Sequence, residues 1–143
     1  MENEPIKTSI GLLVGRDAIY LDGIEHNYGD RTVVFSGEIN ATLASDYHGI
    51  AKWLGYRIAF AGVDALRMTE LDCYDNEVHL ASSFDRVPVP TMGSRIESCQ
   101  QYVLATYDHV FELMAIGHEF IITGERQAEQ DGADQPRYPL RVD

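Results

Sequence analysis

Short apolar alternations broken by glycine, asparagine or aspartate run through most of the chain, the pattern of antiparallel strands joined by turns. Val33, Phe35 and Ile39 alternate with Thr32, Val34, Ser36 and Glu38, and Gly37 is a candidate bulge. Tyr56, Ile58 and Phe60 alternate with Arg57, Ala59 and Ala61, so one face of that run carries the large apolar groups. Residues 10–14 and 18–22 flank Gly15-Arg16-Asp17 as a hairpin with Ile19 and Leu21 on its buried face, and a loop over 26–30 precedes the strand at 32–39. Gly62-Val63-Asp64 turns the chain into 65–73, where Leu66 and Met68 point together, and Asp75-Asn76 marks a turn before 77–81.

Helical signals are few. Ser45 or Asp46 caps a segment with Tyr47, Ile50, Ala51 and Leu54 on one stripe, but Gly49 in its middle costs about 1 kcal/mol relative to alanine, so 45–54 reads as a loop with one helical turn. Ser82-Ser83-Phe84-Asp85 starts a second turn that Pro88 and Pro90 keep short. After a strand over 102–107, Thr106 or Asp108 caps a predicted helix over 108–116, with Val110, Phe111, Met114 and Ala115 on one face and Gly117 at its end. A last strand follows at 118–123. The expected architecture is α+β, predominantly antiparallel β, a sandwich or strongly curved sheet with one short helix in the C-terminal half. Residues 1–124 form one globular domain and 125–143 a polar tail that docks only through Tyr138 and Leu140.

Composition narrows the functional classes. The 143 residues suit one domain, and 45% hydrophobic with 24% charged residues suit a folded one. Eleven basic against 23 acidic residues give a net charge of −12, which excludes the broad positive surface of a nucleic-acid binder and favours a basic partner. The acidic start, Met1-Glu2-Asn3-Glu4-Pro5, and the lack of any run near the ~20 apolar residues of a spanning helix predict a cytoplasmic protein with no membrane association. Cys73 and Cys99 have no metal-binding spacing and read as two free thiols.

The chemistry-bearing residues form no standard motif. His26, His48, His79, His109 and His118 fall in separate elements without HxH or HExxH spacing, so no metal site is expected, and no cofactor either. There is no GxSxG elbow and no phosphate-binding glycine loop. Asp72, Asp108, Glu112 and Glu119 could pair for acid–base work, because two close carboxylates split their pKa values, but on so acidic a chain solvated or capping roles are the default. Asp108 and His109 could form an oriented base at a helix start, although capping by Thr106 or Asp108 accounts for more of the same residues.

The succession of Phe60-Ala61-Gly62-Val63, Glu70-Leu71-Asp72, Ser82-Ser83-Phe84, Tyr102-Val103-Leu104 and Thr106-Tyr107-Asp108-His109-Val110-Phe111-Glu112 resembles a group of small stand-alone bacterial proteins of unassigned activity, over about residues 56–116. The resemblance implies a bacterial domain that occurs alone and brings no catalytic residue with it. Two functions are weighed from the residues themselves. In the first, an acidic binding protein of the immunity type neutralises a basic toxin, with Asp72, Asp75, Glu77 and Asp85 sharing one acidic edge. In the second, a small-molecule or nucleotide-derived ligand sits in an aromatic pocket drawn from Tyr74, Tyr102, Tyr107, Asp108 and His109, with hydrolase activity as an option. A plain homo-oligomeric domain whose acidity serves solubility is the competitor to both.

Overall fold

Five aromatic side chains decide how the strands are layered, because each must leave water and they come from two different sheets. In the computed structural model, which describes residues 2–74, 79–94 and 98–126, the strands are β1 (Glu4–Pro5), β2 (Ile19–Asn27), β3 (Thr32–Asn40), β4 (Trp53–Ala61), β5 (Ala65–Glu70), β6 (Phe84–Val87), β7 (Gln100–Ala105), β8 (His109–Ala115) and β9 (Gly117–Arg126). They form a five-stranded sheet in the order β1-β6-β7-β8-β5 and a four-stranded sheet in the order β2-β3-β4-β9, with every named pairing antiparallel. Phe35 of β3 meets Phe111 of β8 edge-on at 5.0 Å between ring centroids, and Phe60 of β4 meets Tyr102 of β7 at 5.2 Å and Phe84 of β6 at 6.1 Å. These rings tie the two inner faces into one core with Val33, Ile39, Ile58, Leu104 and Leu113. The expected β-sandwich is the fold.

The alternations at 32–39 and 56–61 are strands β3 and β4, paired in register from Val33–Phe60 to Asn40–Trp53. The bulge near Gly37 lies on the partner strand, between Leu21 and Gly23 of β2. Gly37 serves that bulge in another way: a Cβ there would collide with the Tyr20 carbonyl oxygen, so only glycine lets β2 approach so closely. The hairpin expected over 10–22 does not form. Leu13 bridges Ala44 instead, and β2 turns at residues 28–31 into β3, so the actual hairpin is one element later. No helical turn forms over 45–54, which is a loop running into β4; the 3₁₀ turn comes before it at Ala41–Leu43, capped by Asn40, whose side-chain oxygen accepts from the Thr42 amide at 3.2 Å. The turn expected at 82–85 gives way to β6, with the Ser82 hydroxyl accepting from the Phe84 amide at 3.1 Å.

The predicted helix over 108–116 is strand β8. Its residues are buried on both faces: Phe111, Leu113 and Ala115 enter the main core, while Val110, Glu112 and Met114 are buried on the opposite side, Val110 under a cover. A strand buried on both sides reads as a continuous apolar run, and over seven residues such a run also satisfies a helical stripe. The cover is the segment around the 3₁₀ turn Leu71–Cys73, anchored by the Leu71 amide on the Asp108 carbonyl at 2.9 Å. It packs Leu71, Tyr74 and Leu80 on Val103 and Val110, forming a second, smaller core on the outer face of the five-stranded sheet. Residues 125 and 126 end β9, and the expected tail beyond them lies outside the described residues. Among the described residues no helix is long and apolar enough to cross a membrane. Cys73 is an exposed thiol and Cys99 a buried one.

Where β9 crosses the open side of the core, His118 lays its ring against Phe84 and Tyr102 at 5.2 and 5.1 Å and sits 3.3 Å from the Tyr102 hydroxyl. Burial of the ring, and secondarily the charge of Arg86, lower its pKa from the ordinary 6.5. The unfolded chain therefore takes up this proton at a higher pH than the folded one, and the His118 contribution to stability is lost as pH falls below about 6.5. Urea unfolding of the H118Q variant should show a smaller loss of midpoint between pH 7.5 and 5.5 than the parent chain; an equal loss would refute this assignment.

Candidate functional site

The outer face of the five-stranded sheet carries the chain's most constrained polar chemistry. Antiparallel register aligns Asp85 on β6, Val103 on β7, Glu112 on β8 and Arg67 on β5 in one cross-strand row, so alternation alone puts two carboxylates and a guanidinium on one surface. Both carboxylates are then covered: Asp85 is fully buried and Glu112 is 3% exposed. A buried carboxylate must be paired or hydrogen-bonded, and each solves this differently.

Asp85 is held by local donors, the Ser82 hydroxyl at 2.6 Å, the Ala81 amide at 2.7 Å and the Asn3 side-chain amide at 3.3 Å. Burial pushes its pKa up from the ordinary carboxylate value, and those donors oppose the rise. Glu112 instead takes a cation, with the Nε and Nη2 of Arg67 both 2.8 Å from its Oε1. The same bond and charge raise the Arg67 pKa. Tyr74, from the covering segment, completes the group: its burial, and next the adjacent Glu112 carboxylate to which it is hydrogen-bonded, push its phenol up to about 12, so it stays a neutral donor at physiological pH.

Beside this group opens a cleft of about 330 Å³ lined by Asn3, Tyr74, His79, Val87, Pro88, Val89, Thr91, Gln101 and Glu112. Gln101, 1% exposed, fixes its wall by accepting from the Thr91 and Met92 amides at 2.7 and 3.0 Å and donating to the Thr91 hydroxyl at 3.1 Å. A neutral phenol, a carboxylate and an aliphatic wall together suit the binding of a polar or cationic group. A smaller cleft of about 210 Å³ between Arg16, Leu80, Ser82, Ser83 and Thr106 has its serines engaged, Ser82 with Asp85 and Ser83 with the Gly15 carbonyl. Among the described residues no group of three histidine, cysteine, aspartate or glutamate side chains could hold a metal ion.

The five residues of the expected ligand pocket lie in three places. Tyr74 lines the 330 Å³ cleft. Tyr102 points the other way, into the core between the sheets, at 2% exposure. Tyr107, Asp108 and His109 form the β7–β8 connection, where Tyr107 stacks on Tyr20 at 5.1 Å under the Arg16 guanidinium and the Thr106 hydroxyl accepts from the His109 amide at 3.2 Å. They cap a strand turn, not a helix.

The acidic edge is likewise divided. Asp72 is exposed and lies 3.7 Å from Arg16; Asp75 and Glu77 lie outside the described residues. Asp85 is fully buried and hydrogen-bonded, and such a carboxylate adds nothing to a surface that meets a partner. Nothing local in the sequence joins Asn3 and Gln101 to Arg67 and Glu112. The legible signal was Glu112 itself, a charge inside the apolar run from Val110 to Ala115.

Comparison with protein-family models, with curated proteins and with solved structures gives no match for this chain.

Arg67 is itself 57% exposed, so water screens its pairing and the R67A variant should lose roughly 1–2 kcal/mol, less than the ~3–5 of a fully buried pair. Urea denaturation measures this. An unchanged midpoint would mean that the Glu112 carboxylate does not need its cation.

Proposed function

We propose that this chain is an acidic binding protein whose partner is a basic protein, of the immunity type that neutralises a toxin in the cytoplasm. One observation carries the reading: among the described residues every lysine and arginine except the exposed Arg57 is already engaged, while many of the exposed carboxylates are not. Lys7, Arg16, Arg31, Arg67, Arg86 and Arg126 each lie within 4 Å of a carboxylate of this chain, and Lys52 sits over the Trp53 ring. Glu2, Asp17, Glu25, Asp30, Glu70, Glu119 and Glu125 are exposed and form no ion pair among the described residues. In a chain of net charge −12, pairing within the chain therefore leaves these carboxylates facing solvent, where their charge acts over a Debye length of about 10 Å at 0.1 M salt.

The outer face of the four-stranded sheet adds a surface on which such charge could be used. Register places Glu25 and Glu119 at the two ends of one row, with Val34 and Ala59 between them, and Gly23, Ser36, Arg57 and Ile121 in the next. Gly23, Val34, Ser36 and Ala59 leave the centre of that surface open to a partner, and Glu25 and Glu119 at its edges, which outnumber Arg57 on these rows, favour a basic one.

A second reading, a small ligand with or without hydrolysis, has the 330 Å³ cleft in its favour, because Tyr74, Glu112 and Gln101 converge there.

The test is capture of partners on the immobilised chain from an extract of its source cells, followed by association kinetics with the identified species. A basic protein is expected, with an association rate that falls roughly tenfold between 50 and 500 mM salt and falls further in E25Q/E119Q, while dissociation changes little. An acidic or small-molecule partner, or a salt-independent association rate, would overturn the proposal.

A further inference from the structure

We infer that the Glu112 cleft is a socket for one lysine or arginine side chain of the partner, an inference that rests on the reading of this chain as the binder of a basic protein. The lining of the cleft includes a carboxylate but, among the described residues, no lysine or arginine, so an anionic ligand would find no cation on its walls to pair with.

The internal cation does not use the whole carboxylate. Arg67 directs both of its contacts to one oxygen, Oε1, at 2.8 Å each, which leaves Oε2 without a bond to the guanidinium. Arg67 is 57% exposed while Glu112 is 3% exposed, so water screens the internal cation more than the anion it serves. An incoming ammonium or guanidinium would add a second charge-assisted bond to a carboxylate whose desolvation the fold has already met.

The walls match the rest of such a side chain. Val87, Pro88 and Val89 offer apolar surface for a methylene stem, which lysine and arginine bury readily while keeping the charged end on a polar group. The wall is built beforehand: Gln101 uses its carbonyl oxygen on the amides of Thr91 and Met92, so little ordering cost falls on binding. Tyr74, beside the carboxylate, has a phenol oxygen able to accept from the same cation.

The experiment titrates isotope-labelled full chain, followed by NMR, with the N-acetyl methylamides of lysine, arginine and norleucine, and separately with putrescine. The two cationic amides should shift resonances of Val87 and Gln101 in a saturable way, and the uncharged norleucine amide should not. Y74F should weaken that binding several-fold and E112Q should abolish it. If E112Q does not fold, R67Q still decides, since removing the competing internal cation should tighten binding roughly tenfold. Equal shifts with norleucine, tighter binding of putrescine than of either capped amino acid, or no tightening in R67Q would each overturn the socket. Y74F leaves the net charge unchanged and E112Q alters it by one unit, so a captured basic partner that keeps its salt-dependent association and its affinity in both variants refutes the socket alone; the absence of any basic partner refutes the broader reading.

Discussion

Strand β8 must be covered on both faces, and most of what distinguishes this sandwich follows from that requirement. Its inward side chains, Phe111, Leu113 and Ala115, belong to the core between the sheets. Its outward ones, Val110, Glu112 and Met114, would otherwise leave apolar surface and a central carboxylate on an open sheet face. Leu71, Tyr74 and Leu80 therefore pack over the sheet and build the small outer core on Val103 and Val110. The cleft is the place where this cover stops, and the buried pair of Glu112 with Arg67 stands at its edge.

The two sheets are consequently unlike. The outer face of the five-stranded sheet is roofed and holds buried polar groups, each with named partners. The outer face of the four-stranded sheet is open, with small residues and carboxylates, and its one buried acid, Glu38, is met by Arg126 at 3.0 Å. Gly55 makes that contact possible, because a Cβ there would press on the Arg126 guanidinium and collide with the Thr123 hydroxyl. Cations thus serve largely to neutralise acids of the same chain, which is why so negative a molecule folds and still presents unpaired carboxylates to solvent.

Legibility in the sequence followed burial. Strands β3 and β4 are buried on one face and solvated or lightly covered on the other, so Val33, Phe35, Tyr56, Ile58 and Phe60 announce them by alternation. Strand β8 loses that alternation because its second face is covered by residues some 35 positions earlier in the chain, a long-range fact that no local window contains; Val110, Phe111, Met114 and Ala115 then fit a helix equally well. The same blindness affected the site. Tyr74 announces itself by its aromatic ring, whereas its partner Glu112 gains its role only from β8 being a strand in register with Arg67. Asp85 looked like surface charge because the residues that bury it come from both the N-terminal segment, through Asn3, and the cover, through Ala81.

The account stands on β8 being locked from both sides, and amide hydrogen exchange in increasing denaturant measures that most directly. Amides of β8 hydrogen-bonded to β7 and β5 should exchange only through global unfolding, with opening free energies equal to the stability of the whole domain and the same denaturant dependence. The contradicting result is exchange of Val110, Glu112 or Met114 through a lower-energy local opening in which the four-stranded sheet stays protected, for that would mean the outer cover is a loose appendage and Glu112 is not held in a built site.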